Sequence, residues 1–190
     1  MDRKMFLAKT GLMGGMVFIG PTILLHSCKY QPEFRKKLSE ADIPFLDEIG
    51  ETILPETSES PGAKRANVGL FILTMVRDCF DPEEAYILLD GINTLDNMCA
   101  TEYGKSFIKL SSHQKTKLIK KLQQEALLFE EKQVVEEKKV PHYFTLIKKL
   151  TIQGYFTSKI GMMTARNYLP IPGKFEACTA FKPGDKPWAL

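Results

Sequence analysis

The chain has 190 residues, with 26 basic side chains against 23 acidic ones and a net charge of +3. That length holds one ordinary domain, and the apolar content suffices for one core. Basic residues interleave with acidic ones, which excludes the one-sided positive stripe of a nucleic-acid binder, and no repeat of solenoid length recurs.

The first 28 residues have the layout of a bacterial export signal. Arg3-Lys4 precede Met5-Phe6-Leu7, and an apolar, glycine-containing run extends from Gly11 to Leu25. Arg3, Lys4, Phe6 and Leu7 resemble the twin-arginine export signature, with Lys4 where the second arginine normally stands. Lysine lacks the guanidinium fork. The apolar run is shorter than the roughly 20 residues of a membrane-spanning helix, and Pro21 interrupts it. Leu25-x-x-Cys28 resembles a lipobox, in which Cys28 is the lipidated residue; His26 is an unusual occupant of that box. An uncleaved anchor helix with an incidental cysteine is the alternative. Either way the expected location is periplasmic and membrane-anchored. Residues 29–38 read as a polar tether, or as an ordinary N-terminal tail.

Residues 39–160 read as one all-α domain of about five helices. Ser39, with Asp42 three residues on, is close to a capping box. Ile43, Leu46, Ile49 and Ile53 give the first helix its apolar stripe, and Pro55 ends it. Asp47, Glu48 and Glu51 read as its solvated face. A polar loop with a Pro61-Gly62 turn leads to a second helix from about Asn67 to Phe80, striped by Phe71, Ile72, Met75, Val76 and Phe80. Asp81-Pro82-Glu83-Glu84 starts a third, which fades near Tyr103-Gly104. Ser111 and Gln114 form a capping box for a fourth, with Leu118, Ile119, Leu122 and Ala126 inward and Lys115, Lys117, Lys120 and Lys121 outward. The charged stretch 130–139 reads as a solvated loop or a helix extension. Pro141 opens a fifth helix carrying Phe144, Ile147, Leu150, Ile152, Tyr155, Phe156 and Ile160. No stretch alternates with period two.

Residues 161–190 differ. Their prolines and glycines forbid a long helix, yet Tyr168, Phe175, Phe181 and Trp188 are too apolar for a loose end. The tail either wraps its own core or docks on a partner.

Candidate chemistry is sparse. There is no dinucleotide fingerprint, P-loop, haem-attachment motif or nucleophile elbow. His113 and His142 stand alone at helix starts and read as surface or capping residues rather than metal ligands. The sequence thus points to no catalytic, cofactor-binding or metal residue in this chain. Cys79 and Cys99 end two successive helices. At ~1.5 Å rise per residue the intervening helix separates them beyond the ~7 Å limit for a bridge, unless that helix breaks near Gly91. Cys178 could reach either one, and free thiols acting as small hydrophobes are equally open.

Several blocks taken together resemble the gluconate 2-dehydrogenase subunit 3 family: Ser39-Glu-Ala-Asp-Ile-Pro-Phe-Leu-Asp-Glu-Ile-Gly-Glu-Thr-Ile-Leu-Pro55, Ser60-Pro-Gly-Ala63, Thr151-Ile-Gln-Gly-Tyr-Phe-Thr-Ser158, Pro172-Gly-Lys-Phe-Glu-Ala-Cys178 and the terminal tryptophan. The resemblance implies a small helical exported subunit. Its partner would be a large FAD-dependent sugar or polyol dehydrogenase, often joined by a cytochrome c subunit. FAD is then expected in the partner and no cofactor in this chain. The small subunit would lend its export signal and tether to the partner, with Tyr155, Phe156, Tyr168, Phe175 and Trp188 as the expected interface. A stand-alone periplasmic helical lipoprotein, acting as a binding module, is the alternative.

Overall fold

The computed structural model describes residues 30–133, 140–171, 173, 178, 180 and 182–189. Six α-helices account for most of them: α1 (Ile43–Ile53), α2 (Val68–Asp78), α3 (Pro82–Tyr103), α4 (Ser112–Lys132), α5 (Tyr143–Thr157) and α6 (Lys159–Thr164). The domain is all-α, as its periodicity predicts. One helix more than expected appears because Ser158 breaks the fifth. The Ser158 hydroxyl donates to the carbonyl of Tyr155 and accepts from the N–H of Gly161, so it ends α5 and caps α6 together.

The caps explain where the other helices begin. The Asp81 carboxylate accepts from the N–H of Glu84 at 2.8 Å, and Pro82 fills the first position of α3, where no N–H is needed. Gly104 closes α3 in the left-handed region at φ 64°. Ser111 and Gln114 exchange two hydrogen bonds at the head of α4. At the start of α5, His142 Nδ1 accepts from the N–H of Phe144. His142 is thus a capping histidine.

α5 is the centre of the molecule and packs on α1, α2, α3, α4 and α6. Its sequence dictates this position. Phe144, Leu146, Ile147, Leu150, Thr151, Gly154 and Tyr155 are all buried, and together they occupy more than one helical face. Around α5 the core gathers Leu46 and Ile49 of α1, Ile72 of α2, Leu88, Ile92 and Leu95 of α3, and Leu118 and Leu122 of α4. Two glycines set close approaches. Tyr143 seats where a side chain on Gly91 of α3 would stand, and Phe71 of α2 seats against Gly154 of α5.

Two expectations about charged residues need correction. Lys115 does not point outward. It shares the inward stripe of Leu118, Ile119 and Leu122, is only 9 % exposed, and donates to Glu48 at 2.7 Å. Nor do Asp47, Glu48 and Glu51 form a solvated face. Asp47 accepts from the N–H of Gly69 at 2.7 Å, while Glu51 accepts from the backbone N–H groups of Glu56 and Lys64. These acids tie α1 to its neighbours. The charged stretch 130–139 continues α4 as far as Lys132, and residues 134–139 lie outside the described residues.

The tail also holds a small element of order. β1 (Asn167–Tyr168) and β2 (Trp188–Ala189) pair in parallel, with Asn167 opposite Trp188 and Tyr168 opposite Ala189. The amide of Asn167 donates to the carbonyl of Lys186 and reinforces this contact.

Candidate partner and anchor surfaces

Two regions hold the residues that the sequence marks for function. The first is the segment from Tyr30 to Leu38, ahead of α1. Residues 30–38 are strapped to the domain rather than standing off it. The Tyr30 hydroxyl donates to the Asp96 carboxylate at 3.0 and 3.1 Å. Asn93 grips the backbone of Arg35 at both ends, accepting from its N–H at 3.0 Å and donating to its carbonyl at 2.9 Å. The Arg35 guanidinium bridges Asp42 at 2.6 Å and Asp96 at 2.9 Å and lies over the Phe45 ring. Asp42 also accepts from the Ser39 N–H and hydroxyl.

Burial gives this cluster its energetic weight. Asp96 is 1 % exposed and Asn93 and Asp42 are also buried, so the strap supplies partners that water cannot. Burial lowers the basicity of Arg35, but its hydrogen bonds to Asp42 and Asp96 outweigh that and leave the guanidinium more strongly protonated than usual. Burial and the adjoining Asp96 push the Tyr30 phenol up to about 12.

Next to the strap, Lys36, Lys37 and Leu38 form one wall of a groove of about 610 Å³. Leu73 and Val76 of α2 and Tyr86 and Leu89 of α3 form the other.

The second region is the end of the molecule formed by α5, α6 and the tail. The interface residues expected there divide. Tyr155 belongs to the core: it is buried, and its hydroxyl donates to the Pro61 carbonyl at 2.7 Å and contacts the Ser60 hydroxyl. Phe156 is half-buried between the Tyr155 ring and the Arg166 guanidinium. Tyr168 and Trp188 are exposed, the latter to 58 %. Met163, Leu169 and Ile171 add exposed apolar side chains, and Ile152, expected with the apolar positions of the fifth helix, is exposed as well. Scattered exposed apolar residues are ordinary, but Tyr168, Leu169 and Ile171 lie within four residues, and the β1–β2 pairing brings Trp188 beside them, a grouping that suits an interface. Phe175 lies outside the described residues, as do Arg3, Lys4, Phe6, Leu7 and Cys28.

Cys79, Cys99 and Cys178 are free thiols, with Cys99 buried and the other two exposed. Burial, first of all, pushes the Cys99 thiol up to about 12, which makes it a packed hydrophobe rather than a nucleophile. Among the described residues no helix is long and apolar enough to cross a membrane, and no three acidic, histidine or cysteine side chains gather as a metal site.

The sequence could have shown the Arg35 cluster by one signal. Asn93 and Asp96 stand on the same helical stripe as Ile92, Leu95 and Cys99, and polar groups in a buried stripe require partners.

No curated protein and no solved structure matches the chain. The family model for gluconate 2-dehydrogenase subunit 3 matches residues 40–173, from the turn before α1 through the first part of the tail. That span is well over half of the chain, and the chain belongs to the gluconate 2-dehydrogenase subunit 3 family, accessory subunits of a dehydrogenase complex.

Proposed function

We propose that this chain is the non-catalytic small subunit of a periplasmic, FAD-dependent sugar or polyol dehydrogenase. It binds the large flavoprotein subunit, carries it through export and tethers it at the membrane. The observation that carries this reading is the family match across the helical domain. The exposed apolar end built from Ile152, Met163, Tyr168, Leu169, Ile171 and Trp188 supports it, because a subunit that works by docking needs such a surface.

The flavin belongs to the large subunit in this reading, and electrons leave through that subunit or a cytochrome bound to it. The contribution of this chain is positional. Arg3 and Lys4 direct export, and Cys28 receives the anchor.

Co-expression with the large subunit tests the proposal. Flavin absorbance and dehydrogenase activity should appear in the periplasmic membrane fraction only when both chains are present. Arg3→Gln with Lys4→Gln should leave both chains in the cytoplasm. Cys28→Ser should release the active pair from the membrane into the soluble periplasm. Oxidation of sugars by the isolated small chain with an added electron acceptor would overturn the reading.

A further inference from the structure

The strap fixes where the chain enters the domain, and with it the face that an anchor would hold against a membrane. Tyr30 is pinned to Asp96 in the second half of α3, and the backbone of Arg35 is held by Asn93 one turn earlier. Cys28 stands two residues before Tyr30. Two residues span at most about 7 Å. We propose that the strap turns the anchor at Cys28 into a rigid mount, so that the strap and the outer face of α3 lie on the lipid headgroups. The proposal rests on the anchoring reading above.

The side chains around the entry point suit that surface. Phe34 on the strap and Tyr86 on α3 are exposed aromatics, 70 % and 68 % accessible, and Lys36 and Lys37 project beside them at the groove. Aromatic rings and lysines with long apolar stems are the side chains that settle at headgroup level. The charge of this face is mixed and leans acidic, because Glu33 and Glu40 by the strap, and Glu83 and Asp90 on the same side of α3 as Tyr86, accompany the two lysines. Orientation therefore comes from the strap and not from attraction to anionic lipid. The surface needs only a zwitterionic headgroup layer.

The opposite end is left free. β2 pairs with β1, β1 packs on α6, and α6 packs on α5 and on the turn at Ala63–Ala66 rather than on α3. The tail surface then points away from the bilayer, where a dehydrogenase can reach it.

The full chain, lipidated in cells and reconstituted in phosphatidylcholine vesicles brominated near the headgroup end of the acyl chains, tests the mount. Trp188 is the sole tryptophan and serves as the distal probe. Its fluorescence should be unquenched in the natural chain. A Trp188→Phe, Tyr86→Trp chain should be quenched severalfold, and a high-salt wash should not change this. A flexible Gly-Ser insert between Lys29 and Tyr30 leaves every strap contact in place and should abolish the quenching at position 86. Equal quenching at 86 and 188, or quenching at 86 that survives the insert, would overturn the rigid mount and leave the anchor standing. Failure of the natural chain to float with the vesicles would overturn the anchor and the mount together.

Discussion

The strap and the tail flank the helical domain on either side, and they invert the usual relation between polarity and order. Residues 29–38 are rich in charge and read as a tether, yet Asp42, Asn93 and Asp96 hold Arg35 of that segment to the core. The tail carries tyrosine, leucine, isoleucine and tryptophan, yet leaves Tyr168, Leu169, Ile171 and Trp188 exposed. A charged segment can be the more firmly held one when its partners are buried, because leaving those partners alone costs more than ordering the segment. An aromatic segment can stay at the surface when its apolar area is meant for another molecule.

The sharpest way to break this contrast is Arg35→Ala. Asp42 and Asp96 would be left buried without their cation, and the expected loss is about 3 kcal/mol in urea unfolding. An Arg35→Ala chain with unchanged stability would make the strap a passenger. Lys115→Met removes a second buried cation and leaves Glu48 with only the more exposed Lys64. A loss of about 2 kcal/mol is expected, while Lys117→Met on the exposed face should be silent.

The His142 cap gives a smaller, pH-dependent effect. Burial holds His142 below its ordinary value of 6.5, so the folded chain takes up the proton less readily than the unfolded one. Its contribution is therefore complete above that pH and is lost as pH falls through the folded value. Protonated Nδ1 cannot accept from Phe144, so about 1 kcal/mol should disappear on acidification, the worth of a helix cap. Thermal melts across this range check it, and His142→Asn, a cap that does not titrate, should flatten the slope.

At the other end of the molecule, Tyr168→Ala with Trp188→Ala should change stability by less than about 0.5 kcal/mol, as surface substitutions do. The same pair should weaken recovery of the large subunit in a pull-down. A large drop in melting temperature would make the tail part of this domain's own core.

The helices were legible because their boundaries are written in local chemistry. Asp81-Pro82, Ser111 with Gln114, and Gly104 act within a few residues of their own position. The break at Ser158 was missed because the apolar spacing of Tyr155, Phe156 and Ile160 continues across it, while one hydroxyl redirects the backbone. For the strap, the sequence marks only the receiving side, Asn93 and Asp96 on a buried stripe, and not the segment that fills it. Its bonds join Arg35 to residues 58 and 61 positions away, and such pairings leave no period in the sequence. Lys115 was legible in principle: it precedes Leu118, Ile119 and Leu122 by three, four and seven positions, so helical geometry alone turns it inward. A lysine ordinarily seeks water, and the carboxylate of Glu48 lets this one stay inside. Tyr155 is a similar case: an aromatic pair beside the tail suggests an interface, while Pro61 and Ser60 hold its hydroxyl inside.

The seat of Tyr143 on Gly91 carries a consequence for how this sequence can change over time. A methyl group at position 91 would meet the Tyr143 ring, so position 91 is not free to enlarge alone. Enlarging position 91 requires a smaller residue at 143, and the intermediate with only the first change pushes α5 off α3. Because α5 touches nearly every other helix, that displacement would reach most of the core. Lineages sharing this packing should keep the glycine wherever they keep the ring, and enlarge position 91 only after position 143 has become smaller.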